Sequence, residues 1–356
     1  MTRDPLEEIT VTIAGQSWRG FTSVSIDYSV NMAARKATLS GSDLAGAAKI
    51  MPGDGATITA SGTLVLTGYV GDVNKQHDAN THTISFEIAS RTIDAMEASI
   101  DHKTGQVMNK DIAGIAREFD TCGVGIACDE SFAPERTSIV ALGNDLVSHL
   151  RPIARRAGAF VYDTEQGQLR IAKKPRGTHS GSIAIGDGGN ILNIGVKTSE
   201  KGRHDEVKVR GQASRGTGDA ALRLEAVAKD SAIKRRRPRI VVLEGEATAA
   251  QVKERAERYV KRAAGYSREA TVTVKGWRDA GGTIWQPHYL VHVNDPRADL
   301  TQMMAIKTVT LAQETQAGGS GTTATLSLVD PAALNGEAGN GPESFKTPDG
   351  KAKVST

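Results

Sequence analysis

Aromatic residues are scarce in this chain: three Trp, six Tyr and six Phe among 356 residues. That argues against the aromatic platforms of carbohydrate-active β-proteins, and against a base-stacking platform for single-stranded nucleic acid. Cysteine is almost missing, with only Cys122 and Cys128. Two cysteines build neither a disulfide scaffold nor a four-ligand zinc site, and they fit reduced, partly buried thiols made in a reducing cytoplasm. No apolar run approaches the roughly 18 residues of a membrane span. The opening MTRDPLEEIT is acidic and polar, unlike a signal peptide. The chain therefore reads as soluble, leaving a cell by lysis or as part of a particle. Neither sign of charge dominates: 44 Lys and Arg face 41 Asp and Glu, for a net charge of +3. Any electrostatic function must then lie in local clusters.

Glycine is plentiful, at 38 residues, and hydrophobic content is 39%, below the globular norm. The length suffices for two or three domains and a sizeable core. Many glycines and few aromatics suit β-rich domains with frequent turns. Residues 9 to 98 read as all-β. Ile9 to Ile13 alternates, Ala14-Gly15-Gln16 turns the chain, and Trp18 to Tyr28 alternates again with Phe21, Val24 and Ile26 inward. Leu66 to Met96 reads as two strands around a polar turn at Asn74 to Thr81. Ile84, Phe86 and Ile88 share one face there, and Thr83, Ser85 and Glu87 the other. Short strands punctuated by glycine suggest a barrel or sandwich.

Residues 99–182 change character, towards a small α+β insertion. Asn109 is placed to cap a helix with Ile112, Ile115, Ala116 and Phe119 on one face. Asn144 is placed to cap a second, ending at Gly158, with Pro152 expected to kink or shorten it. Ala159 to Tyr162, a turn at Gln166-Gly167, and Gln168 to Ala172 read as a hairpin. Arg151, Arg155 and Arg156 decorate the exposed face of the second helix. Residues 183–331 return to β, with strands expected near Ile191, Glu206, Ile240, Ala270, Tyr289, Met304 and Thr323. A helix at 248–264 flanks this second barrel, opened by a capping box of Thr248 and Gln251. Val252, Ala256, Tyr259 and Ala263 make its apolar stripe, and Glu254 with Arg258 and Glu257 with Lys261 its ion pairs. Its charged face, Lys253 to Arg262, should point outward. Gln313 to Thr322 reads as a flexible hairpin loop. Residues 332–356 have almost no apolar residues and read as a disordered tail.

No catalytic constellation emerges. His288 and His292 have zinc-helix spacing, but Pro287 and the β-branched context favour a strand, where they would lie about 13 Å apart, too far for one metal. Gly186 to Asn190 is glycine-rich without the Lys-Ser/Thr step of a phosphate loop, and reads as a turn. The serines Ser23, Ser25, Ser40 and Ser85 lack a nucleophile-elbow context, and Asp94 with Glu97 reads as an exposed helix turn. No cofactor or metal ligand set is expected. The most unusual cluster is Lys234, Arg235, Arg236, Arg237, Pro238 and Arg239. Five like charges would repel one another on a free loop. The readings open are a solvated loop, contact with an acidic neighbouring subunit, or DNA in a channel, since phosphate binding needs no sequence readout.

Several segments recur in a set order: Gly20 to Ile26, Pro52-Gly53-Asp54 with Thr57-Ile58-Thr59, and Leu66 to Met96 with its closing Arg91-Thr92-Ile93-Asp94. Glu206 to Gly211, Arg237 to Val242, Gly276-Trp277 with Gly281 to Pro287, and Lys307 to Leu311 follow. Over roughly residues 10 to 335 this ordered set resembles the baseplate hub proteins of Mu-type contractile-tailed phages, which share the T-even-type hub fold. The resemblance implies a mainly β fold with an α+β insertion, two tail-tube-like β-barrel domains plus the small α+β domain, at 1–98, 183–331 and 99–182. It implies a structural virion protein and not an enzyme. Such a hub is a homotrimer that joins the hexameric tail tube to the trimeric spike, touches baseplate wedge proteins, and leaves a channel for DNA ejection. It sits in the tail baseplate of the virion after assembly in the host cytoplasm. The hub of a contractile bacteriocin or defective prophage, or a DNA-binding β-barrel protein, remains an alternative.

Overall fold

A computed structural model describes residues 6–42, 50–77, 82–213, 223–315, 319–335 and 352–355. In chain order the first strands are β1 (Ile9–Ile13), β2 (Gln16–Trp18), β3 (Ser23–Ser29), β4 (Lys36–Ser42), β5 (Gly55–Ala60), β6 (Thr63–His77) and β7 (His82–Ser90). Next come α1 (Asp94–Glu97), β8 (Gln106–Lys110), α2 (Ile112–Phe119), β9 (Ile126–Ala127), β10 (Glu135–Ile139), α3 (Leu146–Ala157), β11 (Phe160–Asp163) and β12 (Leu169–Ala172). The chain continues with β13 (Thr178–Ala184), β14 (Ile191–Thr198), β15 (Glu206–Gln212), β16 (Leu224–Lys229), β17 (Arg239–Glu246) and α4 (Ala249–Gly265). It closes with β18 (Arg268–Lys275), β19 (Leu290–Asp295), β20 (Leu300–Glu314), β21 (Gly321–Val329) and β22 (Lys353–Ser355).

Thirteen strands from both ends of the chain make one sheet, in the order β14-β18-β21-β20-β3-β4-β7-β6-β5-β1-β2, with β19 on β20 and β13 on β19. The link between its halves is the antiparallel pair β20 and β3, in register from Thr308 opposite Ser29 to Glu314 opposite Ser23. Val309 lies opposite Tyr28 and Leu311 opposite Ile26, all four fully buried. One core cluster runs through both halves, from Ile9 to Leu328. Polar clamps cross the same boundary. The Tyr28 hydroxyl donates to the Trp285 carbonyl at 2.6 Å, and the buried Gln313 amide both donates to and accepts from the Glu7 backbone. Arg278 forks onto the Glu7 carboxylate at 2.7 and 3.2 Å and donates to the Ala60 carbonyl. Alternation in the β6–β7 hairpin is as the sequence dictates: Ile84, Phe86 and Ile88 are buried. Gly68 must be glycine there, because a Cβ would stand 1.8 Å from the Ala89 carbonyl oxygen across the ladder.

The insertion has its own core, in which Phe119 of α2 and Leu150 of α3 are fully buried. Both helices start later than their asparagines suggest. Asp111 caps α2 by accepting from Gly114 N at 2.8 Å, and Asp145 caps α3 by accepting from Ser148 N at 2.7 Å. A carboxylate also favours the positive end of the helix dipole, which an amide does not. Asn109 instead sits in a left-handed conformation at the end of β8. Pro152 does not shorten α3, which runs to the left-handed Gly158. It stands on the exposed side of the helix, where losing one backbone hydrogen bond does not bury a bare carbonyl in the core.

The strands of residues 183–331 do not all join one barrel. β17, β15, β16 and β22 form a separate four-stranded sheet, with β15 and β17 parallel, under α4. Nor is the end of the chain featureless where it is described. Pro331–Leu334 is a buried 3₁₀ turn, and Lys353–Ser355 pairs with β16 while Ala352 seals the α4 core. These few residues find partners that composition does not reveal. The rest of the tail expectation, at 336–351 and 356, lies outside the described residues, as do residues 78–81 of the first hairpin turn and 316–318 of the second.

The insertion is bolted to the large sheet by one buried ion pair. The Arg35 Nε donates to Asp163 Oδ2 at 2.7 Å, and its Nη1 to the Val65 carbonyl at 2.6 Å, with both side chains at most 2% exposed. Burial pushes the Asp163 carboxyl up, and the guanidinium beside it only partly offsets this. Removing one partner strands a buried charge, which costs about 3–5 kcal/mol. Arg35→Met should therefore lower the unfolding free energy obtained from a denaturant titration by that much, with a correspondingly lower midpoint, and adding Asp163→Leu should recover a large part. Equal midpoints for Arg35→Met and the unaltered protein would contradict this role.

Candidate functional site

Two clusters of arginine carry the candidate site. The first is the run at residues 234–239, on the loop from β16 to β17. A buried fork holds the base of this loop: Arg203 donates to both oxygens of Asp230 at 3.0 and 2.8 Å, with side chains 3% and 2% exposed. The run itself meets acids from the β14–β15 connection. Arg235 pairs with Glu200 at 3.0 Å, and Arg236 with Asp205 at 3.0 Å and Glu206 at 3.2 Å. The Arg237 side chain donates to the Glu200 carbonyl, its backbone N–H donates to Asp205, and Lys234 donates to the Ser231 carbonyl. Hydrogen bonds from Arg236 hold the Glu206 carboxyl below its usual range. Arg239 opens β17 and is exposed. The predicted mutual repulsion is thus relieved within the chain, by surface pairs each worth about 0–1 kcal/mol.

The second cluster arises where α3 ends against α4. A helix C-terminus leaves carbonyls without partners and carries partial negative charge. Arg255 donates to the Arg155 carbonyl at 3.2 Å, and Arg258 donates to the Arg156 carbonyl at 2.7 Å and to Glu254 at 3.1 Å. Arg262 stacks over Phe160, 5.0 Å from the ring centre. The capping box of α4 forms as read, with Val252, Ala256, Val260 and Ala264 buried. Its arginines, however, turn inward to the bare carbonyls, and only Lys253, Glu254 and Lys261 keep the exposed face expected of 253–262. Burial, with Arg262 and Arg155 nearby, holds Arg255 below the ordinary arginine range. Burial first, then Arg255 and Arg262, pushes Arg258 down to about 10, against the pull of Glu254. Periodicity alone could not find this seam, because its acceptors lie a hundred residues away in sequence.

The other candidates serve the fold. His288 precedes β19 in a left-handed conformation, and is not on the strand as its neighbours suggest. It is fully buried, 3.2 Å from the Tyr162 hydroxyl and 3.4 Å from the Leu334 carbonyl. His292 lies on β19. Among the described residues no group of three or more His, Cys, Asp and Glu could hold a metal. Gly186 to Asn190 is the turn between β13 and β14. Cys122 is exposed and Cys128 half-buried, both thiols free, and burial first raises both.

The comparisons agree with this architecture. The family described as Mu phage baseplate assembly protein GpP-like, N-terminal, matches residues 8–91, and Mu phage baseplate assembly protein GpP, fourth domain, matches residues 248–337. The baseplate hub protein gp44 of Escherichia phage Mu is 26% identical over 333 residues, covering 87% of this chain and 85% of that protein. The 43 kDa tail protein of prophage MuSo2 from Shewanella oneidensis superposes with a TM-score of 0.78 at 28% identity, covering 92% of this chain and 99% of that one. A type VI secretion component of E. coli, itself similar to the T4 tail proteins gp27 and gp5, shares the fold at a TM-score of 0.54 and 8% identity, over 90% of this chain and 76% of that one. Two of these relatives are thus phage or prophage tail components, and the third is a type VI secretion component.

Burial pushes His288 from 6.5 down to about 4 in the folded chain, foremost by desolvation. The unfolded chain takes up this proton below about pH 6.5 and the folded one only near 4. Stability is thus fully present above pH 6.5, and about 3 kcal/mol is lost as pH falls to about 4. His288→Asn tolerates the left-handed backbone and should flatten the fall in melting temperature across that window. An unchanged pH slope would contradict the assignment.

Proposed function

We propose that this Mu-type phage tail hub protein works as a homotrimeric symmetry adaptor at the centre of a contractile baseplate. One observation carries the reading: two β halves of one chain are fused edge to edge through β3 and β20. Three such chains offer six similar halves to a hexameric tail tube, yet retain threefold symmetry for a trimeric spike. The sheet supports ring closure because, among the described residues, the ends of its strand order are unpaired. The eight-residue β14 is mostly exposed, and at the other end stands the three-residue β2. An unpaired edge of that length is a template for another chain. On this reading the partners are the tail tube protein, the spike protein and baseplate wedge proteins, the location is the virion tail baseplate after assembly in the host cytoplasm, and the ring's opening passes DNA.

The domain reading that goes with it keeps residues 1–98 and 183–331 as the tube-like parts and 99–182 as the insertion. The run Lys234, Arg235, Arg236, Arg237 and Arg239 then serves as an interface or channel element, with Arg239 facing solvent. A second reading, the hub of a prophage-encoded particle, is favoured by the prophage origin of the Shewanella relative. It shares the same assembly role.

Light scattering on a sizing column, at two protein concentrations, tests the trimer. The expected mass is three times the 37.6 kDa chain. A strict monomer at high concentration would contradict the adaptor reading.

A further inference from the structure

The charges at the two ends of α3 are opposite, and among the described residues the basic end is only partly neutralised, Arg156 pairing with Glu135 at 3.1 Å and Arg258 with Glu254 at 3.1 Å. At the C-terminal end, Arg155, Arg255 and Arg262 have no carboxylate bonded to them among the described residues, although Arg262 and Arg155 stand close enough to disfavour the charge on Arg255. At the N-terminal end, the segment after α1 is tied to the helix entrance. Ile100 N donates to the Asn144 carbonyl at 2.9 Å, and Ser99 bridges to Asp145. This places Glu97 and Asp101, both exposed, beside that entrance. Next to them, Leu142 is wholly exposed and Ile139 is 68% exposed. Large apolar side chains left bare beside acids mark a surface built to be covered.

The helix between the two ends has twelve residues, about 18 Å at 1.5 Å each. An antiparallel two-fold pairing of α3 would also match opposite charges, but the threefold ring proposed above needs a head-to-tail contact. A head-to-tail contact sets carboxylates against guanidiniums and, repeated, closes a cyclic ring. We infer that the acidic, apolar entrance of α3 in one copy of this chain docks on the arginine seam at the exit of α3 in the next copy. The inference rests on the trimeric reading and names the surface that holds it. Arginine suits this role better than lysine, because a planar guanidinium grips a carboxylate through two parallel hydrogen bonds. Half-burial of Arg255 and Arg262 fixes those planes before the partner arrives. A discrete, half-buried seam fits a few carboxylates, whereas a DNA backbone calls for an extended basic stripe.

The test reverses charge on one side at a time. Glu97→Lys with Asp101→Lys, and separately Arg155→Glu with Arg255→Glu, are followed by light scattering across a dilution series. Arg155→Glu alone, at an exposed position, serves if the second pair misfolds by circular dichroism. Each reversal should raise the concentration of half-dissociation at least tenfold, and combining all four in one chain should restore much of the loss. A wild-type trimer whose variants dissociate at the wild-type concentration overturns the surface while leaving the trimer intact. Variants that stay trimeric but lose binding to a short DNA duplex overturn it in favour of nucleic acid. A wild-type monomer at every concentration overturns both the surface and the trimer.

Discussion

The pairing of β20 with β3 is the constraint on which the rest of the structure depends. β20 is a fifteen-residue strand that serves two masters: its first half pairs with β19, and its second with β3, while β21 runs along it. A strand shared in this way leaves the two halves little freedom to hinge, because any rotation would break ladder bonds and open the core between Tyr28, Ile26, Val309 and Leu311. Gln313 and Arg278 extend the same restraint to the first residues described, by gripping Glu7. The proposed adaptor between six-fold and three-fold partners would need this rigidity, since the two β halves must then hold a fixed angle.

The insertion and the α4 unit are fastened to that frame by charge and hydrogen bonds as well as by a small apolar cluster. Arg35 and Asp163 join the insertion to the sheet, Tyr162 reaches His288, and Asn335 donates to the Gly158 and Lys173 carbonyls. The small apolar cluster at the meeting point buries Phe160 and Tyr162, with Tyr266 packed against it. With so few aromatic rings in the chain, directional bonds supply much of the specificity with which these parts meet.

Legibility in the sequence followed the range of the interaction. The α4 capping box could be read directly, because Thr248 and Gln251 are three residues apart and bond each other. The face of β7 was equally plain, since alternation repeats every second residue. Strands β13 and β16 were missed because their glycine, alanine and charged residues alternate weakly, and β22 because three residues carry no period at all. The surroundings of the basic run were harder to read for a related reason. A run of basic residues is conspicuous in one dimension, but Glu200, Asp205 and Glu206 answer most of it in three. The arginines of α3 and α4 are unremarkable in sequence and become a cluster only when a helix end is brought to a helix side.

The central claim is that two fused halves per chain build a ring of six similar lobes on three chains. Electron microscopy of the purified, concentrated protein tests it most directly, through class averages viewed down the ring axis. The account predicts a closed ring with a central opening, six peripheral lobes of similar size, and threefold symmetry. Averages showing open filaments, or closed rings with any other rotational symmetry, would contradict it.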